Sequence, residues 1–228
     1  MKEPAESFPP LLQRVPGWAH CELVTQPAVA DLYLGLLKPD LEYTYLPDQV
    51  AEMWANMPYW AFAWAAGRAM AAWILENPQW IQGKTVLDLG CGSGVAAIAA
   101  AMAGAREVLV ADLDPLALRA AEHNAALNQV CLQPVTLFER DDIDLLLASD
   151  LLYDPASHRL LQELTARIPE ALFAEPESAL SLSHTGHWLA SLRVVGGGQS
   201  STLPAIEDFD DELVVRILHY QRCQERAS

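Results

Sequence analysis

Residues 86–94 read VLDLGCGSG and lead directly into the alanine-rich stretch VAAIAAAMAG. A short apolar run, three closely spaced glycines and then a helical pattern are typical of a buried strand, a tight turn and a helix. Glycine has no Cβ atom, so such a turn can bend sharply and bring its backbone close to a ligand. The stretch therefore predicts the first strand, turn and helix of an α/β fold, with the turn as the floor of a ligand site.

Strand-like and helical segments continue to alternate after this turn. The strand candidates are EVLVAD, PVTLF, IDLLLASD and ALFAEP, and the helix candidates between them are PLALRAAEHNAAL and PASHRLLQELTAR. Continuous apolar strands separated by helices indicate a mostly parallel sheet with helices on both faces. Near the C-terminus, VVGGGQS reads as a glycine-rich loop, and STLPAI and LVVRILHY read as two strands. We expect these two strands to close the sheet with an antiparallel edge.

The segment before the sheet has a different character. Five of the seven tryptophans lie between residues 54 and 80. Phe62, Ala66, Ala69 and Trp73 have the spacing of one helix face, and aromatic residues at that spacing are typical of a core. We therefore divide the chain into residues 1–57, an N-terminal segment that lies on the substrate side or serves packing, and residues 58–228, which form the sheet domain.

Composition and charge narrow the class of protein. The chain has 228 residues, of which 52% are hydrophobic and 19% charged, and its formal net charge is −16. Such a length and composition are typical of one substantial globular domain with an appended segment. The negative charge would repel the phosphates of a nucleic acid and favours a cationic partner, although an acidic surface also serves solubility alone.

Four further kinds of feature are not expected. The apolar run from Tyr59 to Leu75 is interrupted by Arg68, so it does not predict a membrane span. The N-terminal sequence MKEPAESFPP lacks the basic and apolar character of a signal peptide, which favours a cytoplasmic protein. The cysteines form no Cys-x-x-Cys pair, and no cysteine or acidic residue close to His184 and His187 completes a ligand set. We therefore predict neither a disulfide framework nor a metal site.

Two carboxylates indicate what the glycine turn binds. The spacing is G-x-G-x-G, whereas dinucleotide sites use G-x-G-x-x-G and hold a pyrophosphate. Asp88, before the turn, would oppose a pyrophosphate but suits a ligand that carries an ammonium group. Asp112 ends the next strand, where an acid can bind two ribose hydroxyls. A positively charged ligand with a ribose and no phosphate describes S-adenosylmethionine.

The same residues resemble a known family. VLDLGCGSG, followed downstream by residues 112–115 (DLDP), resembles the first motifs of class I S-adenosylmethionine-dependent methyltransferases. The resemblance implies a Rossmann-like, seven-stranded sheet whose last strand is antiparallel. Residues 150–153 read DLLY in place of the D/N-P-P-Y motif of amide and base N-methyltransferases, and they resemble the D-x-x-Y motif of the family 16 lysine methyltransferases.

Within family 16, residues 58–78 and 83–105 are most similar to the enzymes that methylate the β-subunit of electron transfer flavoprotein. The similarity runs roughly from Pro58 to Asp154. It implies a cofactor site formed by Trp64, Asp88, Gly90, Cys91, Gly92, Ser93, Gly94, Asp112, Leu113 and Ser149. In that site Trp64 packs against the cofactor, Asp112 binds the ribose and Ser149 lies beside the methionine portion. Candidates for the adenine contact are Phe138, Glu139 and Asp141.

The resemblance also implies that Asp150 and Tyr153 face the methyl acceptor. Asp150 would orient the acceptor nitrogen, and Tyr153 would align the amine or wall its slot; alternatively, Tyr153 only caps the strand. Three functions stay open at this point. The first is an N-methyltransferase for lysine of a protein, the second a methyltransferase for a small amine or pyridine-type nitrogen, and the third a non-catalytic module that binds the cofactor and contacts a partner. We expect no nucleic-acid or membrane partner, and the oligomeric state is open.

Overall fold

The computed structural model describes residues 10–38, 46–182, 191–204 and 212–222. Two strands form an N-terminal hairpin, β1 (Leu23–Val29) and β2 (Leu32–Leu37). Seven strands form the central sheet: β3 (Thr85–Leu89), β4 (Glu107–Ala111), β5 (Gln133–Pro134), β6 (Leu145–Ser149), β7 (Glu170–Pro176), β8 (Arg193–Ser200) and β9 (Leu213–Gln221). The helices are α1 (Pro47–Ala55), α2 (Ala65–Glu76), α3 (Val95–Met102), α4 (Pro115–Leu127), α5 (Pro155–Thr165) and α6 (Glu177–Leu182). None of the helices in these ranges has the length and apolar character needed to cross a bilayer.

The spatial order of the sheet is β5-β4-β3-β6-β7-β9-β8. The first five strands in this order are mutually parallel, whereas β9 runs antiparallel to both β7 and β8. Alternate residues of the strands belong to two different cores, because successive side chains of a strand point to opposite faces. One core contains α2, α3 and part of α4, and the other contains α5. The predicted α/β fold, with helices on both faces and an antiparallel last strand, is confirmed.

The position of β8 corrects the sequence analysis. The glycine-rich stretch is the edge strand itself, and STLPAI is not a strand: residues 201–204 contribute only a bridge between Leu203 and Ala63, and residues 205 and 206 lie outside the described ranges. A Cβ atom at Gly196 would overlap the indole of Trp73 on α2. At Gly197, φ is +143°, next to a shift of register after Val194. The glycines let this strand pass beneath a tryptophan and form a bulge.

Two smaller expectations were also wrong. The strand predicted at PVTLF is only two residues long and begins one residue earlier, at Gln133–Pro134; a turn at residues 137 and 138 follows, in which Phe138 has φ +70°. Phe62 is not part of the helix face that it was assigned to, since α2 begins at Ala65. Its side chain belongs instead to a third core with Trp18 and Trp60, whereas Ala66 and Trp73 do lie on α2.

The N-terminal hairpin packs onto the sheet domain. The buried side chains of Leu32, Leu34 and Leu36 belong to the same core as α2 and α3. Asn124 of α4 accepts a hydrogen bond from the backbone N–H of Gly35, with N and O 2.8 Å apart, and also donates to the carbonyl of Ser93, at 2.8 Å. One amide therefore joins the hairpin, α4 and the glycine turn. The domain boundary at residue 58 stays a prediction.

Candidate functional site

A cavity of about 580 Å³ lies at the carboxyl ends of the parallel strands. Apart from the three adenine candidates, its lining includes all but two of the residues that were predicted for the cofactor and the acceptor: Trp64, Asp88, Gly90, Cys91, Gly92, Ser93, Asp112, Ser149, Asp150 and Tyr153. The two others, Gly94 and Leu113, are near it in sequence but do not line it. Because the carboxyl ends of parallel strands meet at one edge of a sheet, residues that follow β3, β4 and β6 converge there.

The glycine turn forms the floor of this cavity. Gly90, Gly92 and Gly94 have φ values of +68°, +51° and +81°, a region that L residues with side chains rarely adopt. A Cβ atom at Gly92 would meet only the carbonyl oxygen of Gly90, at 4.0 Å, so it would project into open space. At Gly94 a Cβ atom would come within 3.0 Å of the Cβ of Ala121. Gly94 therefore serves the close packing of α3 on α4, and Gly92 keeps the floor of the cavity open.

Asp88 is buried at the base of the turn. Its side chain is 3% exposed, and its Oδ2 accepts a hydrogen bond from the N–H of Ala97 in α3, with N and O 3.1 Å apart. Burial raises the pKa of Asp88 to about 7, well above that of an exposed aspartate. A cationic group in the cavity would favour the ionised form, so this carboxyl is suited to an ammonium or sulfonium ligand.

Asp112 connects the end of β4 to the turn. Its Oδ2 accepts from the N–H of Gly92 and its Oδ1 from the N–H of Asp114, each with N and O 2.9 Å apart. Asp114 in turn caps α4 by accepting from the N–H of Leu116. A carboxylate has about four lone-pair positions, so Asp112 keeps acceptor capacity toward the cavity after these two bonds.

The aromatic wall comes from the segment before α2. Trp64 donates its indole N–H to the carbonyl of Tyr59 at 2.9 Å, and the two ring centroids are 5.7 Å apart. Tyr59 is 64% exposed at the rim, where Tyr153 is 56% exposed. Sequence reasoning missed Tyr59, although it stands in the PYW stretch that carries the resemblance. It also missed Thr202 and Leu213, which come from the C-terminal hairpin and carry no recognisable motif.

The part of the cavity next to the end of β6 contains Ser149, Asp150 and Tyr153. Ser149 Oγ is buried and has no hydrogen-bond partner among the described residues. Desolvation raises the pKa of Asp150 to about 7, and burial, together with the nearby charge of Asp150, raises the pKa of Tyr153. The phenol is therefore protonated at neutral pH, whereas Asp150 titrates near neutral pH. Asp150 also has φ +56°, a strained conformation for an aspartate at a functional site.

Several candidates lie elsewhere. Leu113 is fully exposed. The three adenine candidates do not line the cavity: Phe138 packs against the guanidinium of Arg167, 5.2 Å from its ring centroid, Asp141 forms an ion pair with the same arginine at 2.6 Å, and Glu139 is exposed. The loop after β5 thus contacts Arg167, just beyond the C-terminal end of α5. The structure therefore does not bring these three residues to the cavity.

Cys91 and the two histidines complete the set of candidates. Burial and the charge of Asp88 raise the pKa of the Cys91 thiol, so it stays protonated and is not a nucleophile. His184 and His187 lie outside the described residues. Within the described ranges no group of histidine, cysteine and acidic side chains could hold a metal ion.

Comparison with known proteins agrees with this geometry. The sequence profile of the ribosomal protein L11 methyltransferase family (PrmA) matches residues 69–170. A solved ribosomal protein L11 methylase from Lactobacillus delbrueckii subsp. bulgaricus superposes with a TM-score of 0.50, over 69% of this chain and 79% of that one, at 23% identity, which supports the fold alone.

Two curated relatives carry the assignment. The electron transfer flavoprotein beta subunit lysine methyltransferase of Homo sapiens is 38% identical over 130 residues, 54% of this chain and 48% of that protein. The protein of the same name from Xenopus laevis is 34% identical over 179 residues, 72% of this chain and 70% of that protein. The chain thus spans about half the length of the human relative and more than two thirds of the frog relative. The resemblance inferred from the glycine turn and the D-x-x-Y motif is confirmed: the chain belongs to the family of the electron transfer flavoprotein beta subunit lysine methyltransferases.

Proposed function

We propose that this protein is an S-adenosylmethionine-dependent methyltransferase that modifies a lysine side chain of a protein. The observation that carries the proposal is that one cavity joins the glycine turn and Asp112 to Asp150 and Tyr153. A cofactor end and an acceptor end are therefore continuous, as a direct transfer between two bound molecules requires. The names of the relatives favour the β-subunit of electron transfer flavoprotein as the substrate.

The residues present fit the cofactor. The volume of about 580 Å³ lies within the roughly 300–1,000 Å³ that is usual for small-molecule sites. The space above Gly92 is open, and the buried hydroxyl of Ser149 has no partner among the described residues. We assign Asp112 to bind the ribose hydroxyls. Asp88 lies on the side of the site where the positive charge of the cofactor would be, and Trp64 forms the wall beside the cofactor.

The reaction depends mainly on how the two reactants are positioned. When bound, S-adenosylmethionine supplies a methyl group on a sulfonium sulfur. The acceptor nitrogen forms the new N–C bond while the S–C bond breaks, and the electron pair of the S–C bond stays on sulfur. The protein has to hold a nitrogen lone pair in line with that bond. Asp150 and Tyr153 stand at the acceptor end and are suited to orient the amine there.

A lysine must also lose a proton before it can react. With a reference pKa of about 10.4, keeping the amine neutral at pH 7 costs roughly 4.6 kcal/mol. The positive charge of the sulfonium lowers this cost, because a like charge nearby disfavours the ammonium form. Ionised Asp150 attracts the lysine as a cation, and after the proton has left to water it orients the neutral amine. The net charge of −16 adds a long-range attraction for a lysine-rich surface.

Transfer of a labelled methyl group tests the proposal. The purified chain is incubated with methyl-tritiated S-adenosylmethionine and either the β-subunit of electron transfer flavoprotein or a cell lysate, with Asp150→Asn as the control. We expect tritium in methylated lysine of the β-subunit and much less with the control. Labelled lysine in a different protein would reject only the named substrate.

Two other outcomes would reject lysine as the acceptor. Label found only in small molecules would indicate an amine or pyridine-type acceptor. Binding of S-adenosylhomocysteine without transfer to any acceptor would indicate a non-catalytic module. A cytoplasmic location, and the absence of nucleic-acid and membrane partners, stay predictions.

A further inference from the structure

One acidic side chain near the site is completely buried and was not predicted from the sequence. Glu175 lies in β7, is 0% exposed, and follows the buried residues Phe173 and Ala174. A central strand that is covered on both faces normally carries apolar residues, since a buried carboxyl is unfavourable unless it is hydrogen-bonded. An acid at this position therefore needs a specific explanation.

The contacts of Glu175 supply one. We call residues 150–153, which carry the D-x-x-Y motif, the acceptor loop. Glu175 Oε1 accepts hydrogen bonds from the backbone N–H groups of Leu151 and Leu152, with N and O 2.7 and 2.6 Å apart. These are the two middle residues of the loop, and Asp150 and Tyr153 flank them.

The acceptor loop is held on several sides, but its middle N–H groups are held by Glu175. The N–H of Asp150 donates to the carbonyl of Ala174 at 3.1 Å, and a ring nitrogen of His158 lies 2.7 Å from the carbonyl of Leu152. Neither contact satisfies the N–H groups of Leu151 and Leu152. The φ of +56° at Asp150 is not a conformation that this residue prefers, so surrounding contacts must maintain it.

The acceptor loop also touches the cofactor end of the cavity. The side chain of Leu151 lies 3.5 Å from the position that a Cβ atom would take at Gly90. A change in the loop would therefore move the acceptor groups relative to the glycine turn. A displacement of about 1 Å between reacting groups can cost about 100-fold in rate.

We propose that Glu175 is a positioning residue for the methyl acceptor: by accepting the two N–H groups, it holds the acceptor loop in the conformation that places Asp150 and Tyr153 at the cavity. This inference rests on the proposed function. The positioning role requires the carboxyl as a hydrogen-bond acceptor and does not require its negative charge. Burial raises the pKa of Glu175 to about 8. The carbonyl oxygen of the neutral acid still has two lone pairs for the two N–H groups.

Three substitutions distinguish the role of Glu175 as a hydrogen-bond acceptor from the role of its charge. Glu175→Gln keeps an oxygen at the same distance and removes the charge. Glu175→Met keeps the length and removes the acceptor. Glu175→Asp keeps a carboxyl but withdraws it from the loop. The matched control is Glu177→Met, because Glu177 is an exposed acid two residues further on, paired with Arg216 at 3.0 Å.

Steady-state kinetics and cofactor binding give the first readout. For Glu175→Met and Glu175→Asp we expect kcat to fall by about 100-fold, with little change in the Kd of S-adenosylhomocysteine. Glu175→Gln and Glu177→Met should keep turnover close to that of the unsubstituted protein. Full turnover of the Met variant would overturn the proposal, and so would a Gln variant as slow as the Met variant, since the charge would then be what matters. If the Met variant does not fold, the Asp variant decides.

Hydrogen exchange gives a second readout that does not depend on catalysis. The amides of Leu151 and Leu152 should exchange faster in the Met and Asp variants and at the original rate in the Gln variant. If the unsubstituted protein transfers no methyl group, the proposed function fails. The exchange rates still test the role of Glu175 in that case. Unchanged exchange in the Met and Asp variants would overturn the positioning role by itself.

Discussion

The acids at the cavity have the same chemistry but different surroundings, and the surroundings decide what each can do. Asp88 is buried, and burial raises its pKa to about 7, so its charge depends on a cationic neighbour. Asp112 is partly exposed and receives two backbone N–H groups, which stabilise an acceptor next to the cavity. Glu175 is fully buried and accepts only from the backbone of the acceptor loop. At the residue scale, therefore, the assignment of roles follows from hydrogen bonds and burial.

Asp112→Ala should weaken cofactor binding. The variant loses a charged acceptor for the ribose, and hydrogen bonds to charged groups contribute about 1.5–3 kcal/mol, so we expect the Kd of S-adenosylhomocysteine to rise about 10- to 100-fold. Isothermal titration calorimetry measures this. The control is Asp114→Ser, which keeps an oxygen to cap α4 and should bind normally. An unchanged Kd for Asp112→Ala would disprove the ribose assignment.

Asp150 should give the reaction a dependence on pH near neutrality. Its raised pKa of about 7 means that the carboxyl is protonated below that pH and ionised above it. If the ionised form attracts and orients the lysine, kcat/KM rises with pH through about 7, in addition to the rise from deprotonation of the lysine itself. In Asp150→Asn the rise near pH 7 should disappear and kcat/KM should be lower at pH 8.

A pH profile of kcat/KM between pH 6 and 9 checks this prediction. The profile of Glu177→Gln, which changes an exposed acid away from the cavity, should keep the shape of the original. An Asp150→Asn profile with the same inflection would show that another group titrates there. Glu175, whose pKa burial raises to about 8, is the neighbour to substitute next.

At the scale of secondary structure, the edge strand β8 shows how local composition can mislead. Three consecutive glycines favour a loop in isolation, because glycine weakens a strand. Here Trp73 of α2 lies against Gly196, and this close approach excludes a side chain. The pairing with β9 supplies the backbone hydrogen bonds that a loop would lack. The element is a strand because it pairs with β9, and glycine stands at position 196 because Trp73 of α2 leaves no room there for a side chain.

The glycines of β8 should differ sharply in their tolerance of alanine. At Gly196 a Cβ atom would overlap Trp73, so Gly196→Ala should lower the free energy of unfolding by roughly 1–3 kcal/mol through overpacking. At Gly198 a Cβ atom would meet no described heavy atom within 4 Å, so Gly198→Ala should change it by about 0.5 kcal/mol or less. Urea unfolding measures both. Equal effects would contradict the packing of β8 under Trp73.

At the scale of the whole molecule, three carboxyls near one end of the sheet bind protons more tightly than they would in the unfolded chain. Burial or desolvation raises the pKa of Asp88 and Asp150 to about 7 and that of Glu175 to about 8, whereas free carboxyls titrate near 4. These three groups thus bind more protons in the folded protein than in the unfolded chain between about pH 4 and 8. Their contribution to the free energy of unfolding falls as the pH rises through this window. A loss of stability of this kind, caused by buried carboxyls, is typical of a site that binds a cationic ligand.

Thermal unfolding should therefore show a midpoint that is higher at pH 5.5 than at pH 8, at constant ionic strength. The net charge of −16 at pH 7 acts in the same direction, because like-charge repulsion grows as carboxyls ionise. The substitution Asp88→Asn should make the unfolding midpoint depend less on pH. Asp142→Asn is the control and should not, because a hydrogen bond from Arg140 lowers the pKa of Asp142 and moves its titration below the window. A midpoint that rises from pH 5.5 to pH 8 would contradict the assignment of these three groups.

The amino-acid sequence by itself determined the parallel sheet, the glycine turn and the convergence of Asp88, Asp112 and Asp150. These follow from local rules: apolar strands alternate with helices, glycine permits positive φ, and the carboxyl ends of parallel strands share one edge. Only the tertiary structure decided that β8 runs through the glycines, that Phe138 faces Arg167 and not the cavity, and that Glu175 holds the acceptor loop. Each of these depends on which distant side chain or backbone group comes within contact distance, and no local pattern records that.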